Sequence, residues 1–318
     1  MFFKFNEVAT KMRYTSPFPE LSRLILGTQG LGCSFDSTAD SVALARAAMD
    51  AGLAFHTSHM YNHGQALNIL KLAFREDPSN IPPVMGKVYC YNATQIRFDV
   101  EEMLERLHID QLTIGQLAKN DHRHREIVDD ILSQGPMFEM LCALREKGMV
   151  GHWTFEIFQK FSHDAFKAID NDLFSSAAFY FNALERETDI PTWEQIKQKN
   201  MPIIAVRGLS GGLVEPSNEH LAGKPGKPAE IIDRRKELTR LFEKSGCSSW
   251  SEFSIRYLHS VSNVQSIVIG TSKQKRLQEN IALTNNAKPL DRDIVSGIDK
   301  LQNTWAAGRT FDPNSPYV

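Results

Sequence analysis

Short runs of apolar residues alternate along this chain with longer segments in which apolar residues recur every three or four positions. The short runs predict eight buried strands, at 23–28, 53–57, 82–90, 110–118, 149–156, 173–181, 201–208 and 264–270. The periodic segments predict helices at 39–51, 65–76, 94–107, 135–148, 163–170, 192–200, 230–244, 249–260 and 273–283. This alternation, at the repeat length of a βα unit, indicates a parallel sheet with helical crossovers.

Eight βα units on one chain of 318 residues favour a closed (β/α)8 TIM barrel over an open sheet. No linker divides the chain, so residues 1–318 are predicted to form a single barrel domain with an extra helix and a C-terminal tail. The long loop from Gly208 to Pro228 is interpreted as a lid or cofactor clasp. We expect the tail, from Trp305 to Val318, to fold over the barrel mouth and shape substrate choice.

The composition is that of a globular protein, with 42% hydrophobic residues and a formal net charge of -2. This balance predicts no attraction to nucleic acid or to an anionic membrane. No apolar run approaches the roughly 18 residues of a membrane span, and the N-terminus lacks a secretory pattern. Four cysteines without metal spacing indicate reduced thiols in a cytoplasmic protein.

The candidate chemistry is concentrated between Gly52 and Gly64, where a short strand leads into a loop with three histidines and a tyrosine. An α/β barrel keeps its active site at the C-terminal ends of its strands. Tyr61 lies in this loop, and Lys87 lies near the end of the next strand. A phenol is a poor acid–base catalyst at neutral pH unless a cation lies close, so the two form a candidate pair. Alternatively, each is an ordinary residue of the barrel mouth.

Four stretches resemble the aldo-keto reductase family, and the similarity runs from about Leu21 to Leu290. They are LILGTQGLG, AMDAGLAFHTSHMYNHG, PIIAVRGLSGGLV and SIVIGTSKQKRLQEN. The resemblance implies hydride transfer between NADP and a small carbonyl, alcohol or sugar substrate. In that chemistry a tyrosine donates the proton, a lysine lowers the tyrosine pKa, an aspartate holds the lysine and a histidine orients the carbonyl.

Carried over to this chain, the tyrosine falls on Tyr61 and the lysine on Lys87. The aspartate position is His56, and the histidine position is Gly115, with Gln116 expected to point away from the barrel interior. The family's serine and asparagine, which hold the nicotinamide amide, fall on Glu156 and Ile157, and its sixth-strand glutamine falls on Ala178.

These substitutions prompt two hypotheses. Glu156 supplies the counter-charge that His56 cannot give to Lys87, or it acts as an acid–base residue itself; alternatively, it bends toward solvent. His59, two residues before Tyr61, is a further candidate acid–base group. The histidine loop offers no carboxylate or thiol at metal-ligand spacing, so no metal site is predicted.

The predicted cofactor is NADP, with NAD as the weaker alternative. Backbone N–H groups at the start of the helix near Lys273 favour a phosphate. By the resemblance, Arg276 grips the 2′-phosphate, Asn280 holds the adenine, and a pyrophosphate loop follows the seventh strand. The predicted cofactor-binding residues are Gly27, Thr28, Leu209, Ser210, Gly212, Gly270, Ser272, Arg276, Glu279 and Asn280.

The sequence therefore predicts an NADP-dependent oxidoreductase with an altered catalytic site. Two alternatives stay open. One is a non-redox lyase, dehydratase or isomerase that uses Tyr61, His59, Glu156 and Lys87 for acid–base chemistry. The other is a catalytically silent barrel that binds nucleotide.

Overall fold

The sheet of this protein closes into a barrel of eight parallel strands. The computed structural model describes residues 21–33, 36–118, 124–157, 166–168, 170, 172–224 and 227–307. The strands are β1 (Leu24–Gly27), β2 (Ala54–Thr57), β3 (Val84–Tyr89), β4 (Leu112–Ala118), β5 (Val150–Glu156), β6 (Phe174–Asn182), β7 (Glu185–Arg186), β8 (Ile203–Val206) and β9 (Val264–Gly270). Their order is β5-β4-β3-β2-β1-β9-β8-β6, and pairing of β5 with β6 closes the ring. The short β7 forms an antiparallel hairpin with β6 and lies outside the ring.

Helices connect the strands and surround the barrel. They are α1 (Thr38–Asp50), α2 (Gln65–Glu76), α3 (Ala93–Leu107), α4 (His124–Leu132), α5 (Pro136–Glu146), α6 (Ile190–Gln198), α7 (Glu230–Ser245), α8 (Trp250–Ser260), α9 (Gln274–Asn286) and α10 (Arg292–Ala307). The (β/α)8 TIM-barrel prediction is confirmed, and α7 is the extra helix before α8. The predicted helix at 163–170 falls largely outside the described residues. Among the described helices, none is long and apolar enough to cross a membrane.

The prediction for the C-terminal tail is wrong at Trp305, which belongs to α10 instead of a segment over the mouth. Ile294, Ile298 and Gln302 recur at helical spacing on the buried side of this helix. The Trp305 ring contacts Arg234 of α7, with the guanidinium carbon 5.2 Å from the ring centroid. Its indole N–H donates to Glu237, 3.0 Å away. Residues 308–318 of the predicted tail lie outside the described part of the chain.

Helix starts follow from local side-chain capping. Ser37 accepts a hydrogen bond from the Asp40 amide at the start of α1, and Asn92 accepts one from the Gln95 amide at the start of α3. Ser249 caps α8 in the same way. Each cap satisfies a backbone N–H that has no partner within its own helix. The capping residues therefore fix where the helices leave the loops at the barrel mouth.

The hydrophobic core has two parts, which follow from the alternation of side chains along each strand. One part fills the space between sheet and helices. The other fills the barrel interior with Ile25, Ala54, Met85, Ile114, Ala178, Ile204, Val206 and Val268. Two residues beyond Ala54 and Met85, on the same inward face, lie His56 and Lys87. The interior is thus apolar at its centre and polar toward the C-terminal ends of the strands.

Candidate active site

A cavity of about 1710 Å³ opens at the C-terminal ends of the strands. At one end it is lined by His56, Tyr61 and Lys87. It then passes the loop after β8 and ends along α9. The predicted cofactor-binding residues that line it are Gly27, Leu209, Gly212, Gly270, Ser272, Arg276, Glu279 and Asn280. The fold therefore brings most of the predicted site residues to one continuous cleft.

Lys87 and Glu156 form a buried ion pair at the base of this cleft. The lysine Nζ lies 3.0 Å from one carboxylate oxygen of Glu156 and 3.3 Å from the other. Burial lowers the pKa of Lys87, but the Glu156 carboxylate and the phenols of Tyr61, Tyr180 and Tyr89 together raise that pKa above its ordinary value. Glu156 is 2% exposed, so the alternative that it bends toward solvent is wrong. Lys87 is therefore a cation at neutral pH without an aspartate on β2.

His56 is hydrogen-bonded to Gln116, which shows that the predicted orientation of Gln116 is wrong. The His56 Nε2 and Gln116 Oε1 atoms are 2.9 Å apart. Gln116 and Lys87 are register partners on neighbouring strands, so both point into the barrel. Gly115 faces outward instead, where a Cβ atom would lie 2.4 Å from the Trp153 ring. Gln116, and not Gly115, is therefore the residue in this part of β4 that points into the barrel.

The His56 imidazole is neutral. Burial, together with the positive charge of Lys87, lowers the pKa of His56 to about 4. Because Gln116 Oε1 is an acceptor, the proton of the neutral ring is assigned to Nε2. The Gln116 side-chain nitrogen is buried and has no hydrogen-bond partner within the described residues. The β2 and β4 positions therefore hold an uncharged pair where the resemblance predicts an aspartate and a histidine.

Tyr61 lies on a tightly turned loop and lines the same cleft as Lys87. Its ring meets the His56 ring edge to face, with centroids 5.8 Å apart. Asn62 and His63, which follow it, both have left-handed backbone angles, with φ of 50° and 53°. The Asn62 amide donates to the Leu31 carbonyl, which ties this turn to the loop after β1. Burial raises the pKa of Tyr61, Lys87 lowers it and Glu156 raises it again, so the phenol is protonated at neutral pH.

His59 does not line the cavity. Its Nε2 lies 3.6 Å from the carboxylate of Asp99 on α3. Its ring contacts Tyr89 and Phe98 edge to face, with centroid distances of 5.8 and 6.3 Å. The Asp99 carboxylate also accepts from the Tyr89 amide, 2.6 Å away. His59 therefore ties the Tyr61 loop to β3 and α3, and it lies behind the cleft-lining residue Tyr89.

Two of the predicted cofactor-binding residues, Thr28 and Ser210, do not line the cleft. The Thr28 hydroxyl donates to the His56 carbonyl and contacts Thr57. The Ser210 hydroxyl donates to the Asn182 side chain, and both Thr28 and Ser210 are fully buried. Arg276 and Lys273 do line the cleft, and Lys273 bonds to Asp36 of the loop after β1, 2.5 Å away.

The sequence profile of the aldo/keto reductase family matches residues 23–303. The chain belongs to the aldo/keto reductase family. Among curated proteins, none is significantly similar to it in sequence.

Solved structures of aldo-keto reductases have the same fold. An aldo-keto reductase from Klebsiella pneumoniae in complex with NADPH is 16% identical over 89% of this chain and 92% of its own, with a TM-score of 0.64. The holo form of aldo-keto reductase AKR11C1 from Bacillus halodurans is 17% identical over 88% of this chain and 92% of its own, with a TM-score of 0.67. At these identities the similarity shows the fold alone.

This aldo/keto reductase also places three residues in the cleft that the sequence reasoning missed. Tyr89 lies two positions beyond Lys87, and Tyr180 two positions beyond Ala178. Arg207 follows Val206 at the end of β8 and also lines the cleft. Strand alternation identifies the two tyrosines, because every second residue of β3 and β6 faces the interior. Arg207 gives no such signal, because its backbone is left-handed, with φ of 60°.

No group of three histidine, cysteine, aspartate or glutamate residues that could hold a metal ion is found within the described ranges.

Proposed function

We propose that this protein is an NADP-dependent reductase of small carbonyl compounds, also able to run the reverse oxidation of an alcohol. The observation that supports this most is the buried Lys87–Glu156 ion pair at the base of the cleft that Tyr61 lines. The resemblance assigns the lysine counter-charge to β2, whereas here the carboxylate lies on β5. The site that the resemblance implies and the site of this chain carry the same charges. Each has one carboxylate and one ammonium group, and the remaining group is neutral, here the His56–Gln116 pair.

The cleft fits a dinucleotide and a small substrate together. Its volume of about 1710 Å³ exceeds the roughly 300–1,000 Å³ of a pocket for one drug-sized ligand. Gly211 and Gly212 form a turn with φ of 61° and 94°, which brings backbone close to the cavity. Arg276 and Lys273 add positive charge at the start of α9. The positive charge of Arg276 and Lys273 suits the 2′-phosphate of NADP better than the neutral 2′-hydroxyl of NAD.

When bound, NADPH supplies the hydride that reduces the carbonyl carbon. In our proposal the Tyr61 hydroxyl holds the proton that passes to the carbonyl oxygen, and Lys87 stabilises the resulting phenolate. Glu156 acts as a positioning residue that keeps Lys87 charged. Gln116 orients His56 by accepting a hydrogen bond from its Nε2–H. His59 and Asp99 hold the loop that carries Tyr61.

The test is to move the carboxylate back to β2. We expect E156Q to lower kcat/KM for carbonyl reduction by about 100-fold, because the charge on Lys87 then loses its partner. The double variant H56D/E156Q should recover activity to within about 10-fold of the wild type, since it restores one carboxylate beside the lysine. Activity is followed as NADPH oxidation over a panel of aldehydes and ketones.

The control is NADPH affinity, measured by protein fluorescence, which should differ by less than about twofold among the three proteins. An E156Q variant with wild-type kcat/KM and pH profile would show that the ion pair is only structural. Failure of the wild type to oxidise NADPH with any carbonyl would overturn the proposed reaction.

A second candidate is a non-redox acid–base reaction. It is favoured by Ile157 and Ala178, which are buried apolar residues at the positions that resemble the family's asparagine and its sixth-strand glutamine. Three phenols, from Tyr61, Tyr89 and Tyr180, surround Lys87 closely enough to influence its pKa. Exchange of substrate protons with deuterated solvent, without net change in NADPH, would identify this reaction. Tight nucleotide binding with neither kind of turnover would indicate a silent barrel.

A further inference from the structure

Reduction of a carbonyl places negative charge on its oxygen, and one donor, Tyr61, is so far assigned to that oxygen. Enzymes commonly stabilise such an oxygen with more than one hydrogen-bond donor. Strand β4 does not supply the second donor, because Gly115 faces outward and Gln116 is fully buried and does not line the cleft. His56 lines the cleft, but its Nε2–H is donated to Gln116. A second donor would therefore come from another strand of the barrel.

Tyr180 on β6 reaches the cleft beside Lys87. It lies two residues beyond Ala178, which is the register partner of Glu156 on β5. Side chains two apart on a strand share a face, so Tyr180 lies one layer nearer the barrel mouth than Ala178. Its half-buried ring lines the cavity together with Tyr61 and Lys87. Burial raises the pKa of both phenols and the charge of Lys87 lowers it, so both hydroxyls lie near the same ammonium group.

Arg207 holds the Tyr180 phenol in place. Its guanidinium carbon lies 4.7 Å from the centroid of the ring, and the group also donates a hydrogen bond to the Tyr180 hydroxyl. The guanidinium forms an ion pair with Glu185, with 3.6 Å between Nη2 and Oε1. The Arg207 backbone is left-handed, and its carbonyl accepts from the Asn182 side chain, at 2.9 Å, and from the Ser210 amide, at 2.8 Å. The fold therefore fixes where the guanidinium meets the phenol.

The hydrogen bond from Arg207 determines how the Tyr180 hydroxyl can act. A guanidinium group is only a donor, so the phenol oxygen accepts in this bond and the hydroxyl proton is directed to a different partner. The phenol is protonated at neutral pH, because burial and nearby carboxylates raise its pKa to about 12 against the effect of Lys87 and Arg207. Cations beside a neutral phenol polarise its O–H bond and make it a stronger donor.

We propose that Tyr180 is a second catalytic donor, whose hydroxyl hydrogen-bonds to the carbonyl oxygen of the substrate while Tyr61 transfers its proton to that oxygen. Arg207 is a positioning residue that acts through Tyr180. The third phenol of the cleft, Tyr89, packs against His59 instead. This role of Tyr180 rests on the proposed carbonyl reduction.

The first test is Y180F, which removes the hydroxyl and keeps the ring. We expect kcat for carbonyl reduction at saturating NADPH to fall by about 100-fold, with KM changed by less than about threefold, because the bond strengthens as charge develops on the oxygen. The matched control is Y91F, since Tyr91 is an exposed tyrosine that does not line the cleft. Its kcat should stay within about twofold of the wild type.

The role of Arg207 is tested by a double-mutant cycle. We expect R207M to lower kcat by about 10-fold in the wild type and by less than about twofold in Y180F, because the guanidinium acts through the Tyr180 hydroxyl. R207K, which keeps the charge and a donor, should recover part of the loss. Equal losses from R207M in the two backgrounds would show that Arg207 does not act through Tyr180.

Binding of 4-nitrophenol, in the presence of NADP, tests the donor without turnover. Its phenolate oxygen stands in for the carbonyl oxygen that gains charge, and its absorbance reports the anionic form. We expect Y180F to bind the anion about 10-fold more weakly than the wild type, and Y91F to bind it within about twofold. If this difference is found and the wild type reduces no carbonyl, Tyr180 is an oxyanion donor and only the proposed reduction is wrong. The proposal is overturned if Y180F matches Y91F in affinity for the anion, or if the wild type does not bind it.

Discussion

At the scale of single residues, the neutral state of His56 links stability to pH. In the unfolded chain a histidine has its ordinary pKa of 6.5, whereas burial and Lys87 lower the pKa of His56 to about 4 in the folded protein. Between these two values the unfolded state binds a proton that the folded state does not. Folding stability contributed by His56 is therefore present above pH 6.5 and is lost as the pH falls toward 4.

We expect the titration of His56 to remove about 3 kcal/mol from the free energy of unfolding between neutral and acidic pH. This contribution should be absent from H56N. Asparagine removes the titration and keeps a side-chain N–H for Gln116. The measurement is urea unfolding of both proteins at pH 7 and at pH 4.5, followed by circular dichroism. Equal pH dependence in the two proteins would mean that His56 takes up a proton without unfolding.

The sequence predicts the individual residues of the site unevenly. Tyr61 and Lys87 follow from their places just beyond a strand or near its end, and both line the cleft. The resemblance puts Gly115 at the histidine position, and this register turns Gln116 to the wrong face. One residue of error turns a side chain to the opposite face. The hypothesis that Glu156 replaces the missing β2 aspartate predicts its contact with Lys87, and the role of Glu156 in catalysis stays a prediction.

At the scale of elements, the outward face of β4 is closed by the neighbouring strand. A Cβ atom on Gly115 would lie 2.4 Å from the Trp153 ring of β5, which is fully buried. The indole N–H of Trp153 also donates to the Leu141 carbonyl of α5, so the ring has little freedom to move. Glycine at position 115 is therefore a packing requirement between β4, β5 and α5.

G115A should consequently lower the free energy of unfolding by about 2 kcal/mol through overpacking. The matched control is G30A, because a Cβ atom at Gly30 meets no other atom within 4 Å. We expect G30A to stay within about 0.5 kcal/mol of the wild type in urea unfolding. A G115A protein as stable as G30A would show that β4 and β5 can separate to admit a methyl group.

The elements themselves were largely predictable, because short apolar runs and helical periodicity are local signals. All eight barrel strands lie where the apolar runs predict them. Two helices, α4 and α10, are absent from the prediction, although apolar residues recur at helical spacing in both. The two-residue strand β7 is too short to give a sequence signal, and it exists because Asn182 and Glu185 pair across a tight turn.

At the scale of the whole molecule, the cations Lys273 and Arg276 at one end of the cleft lie far along the chain from Tyr61 and Lys87 at the other. Arg276 lines the cleft near the start of α9, whereas Lys275, the residue before it, does not line it. We expect R276M to weaken NADPH binding by about 10-fold and NADH binding by less than about twofold. K275M is the control and should leave both affinities unchanged. Equal weakening of NADPH and NADH by R276M would place this side chain away from the 2′-phosphate.

The closed barrel could be predicted from the repeat of eight βα units, whereas the shape of the cleft could not. The cleft depends on side chains that meet from distant positions, such as Asp36 with Lys273 and Asn182 with Ser210. Such contacts leave no local pattern in the sequence. The single-domain assignment and the tail at 308–318 stay predictions.

The counter-charge of Lys87 lies on β5, and this limits the order in which substitutions at positions 56 and 156 can occur during evolution. A chain that exchanges a β2 aspartate for a β5 glutamate must pass through one of two intermediates. With both carboxylates, two like charges compete for one lysine, and one of them is driven to take up a proton. With neither, the buried lysine loses its charge. Positions 56 and 156 should therefore show sign epistasis, in which H56D and E156Q are each harmful alone and tolerated together.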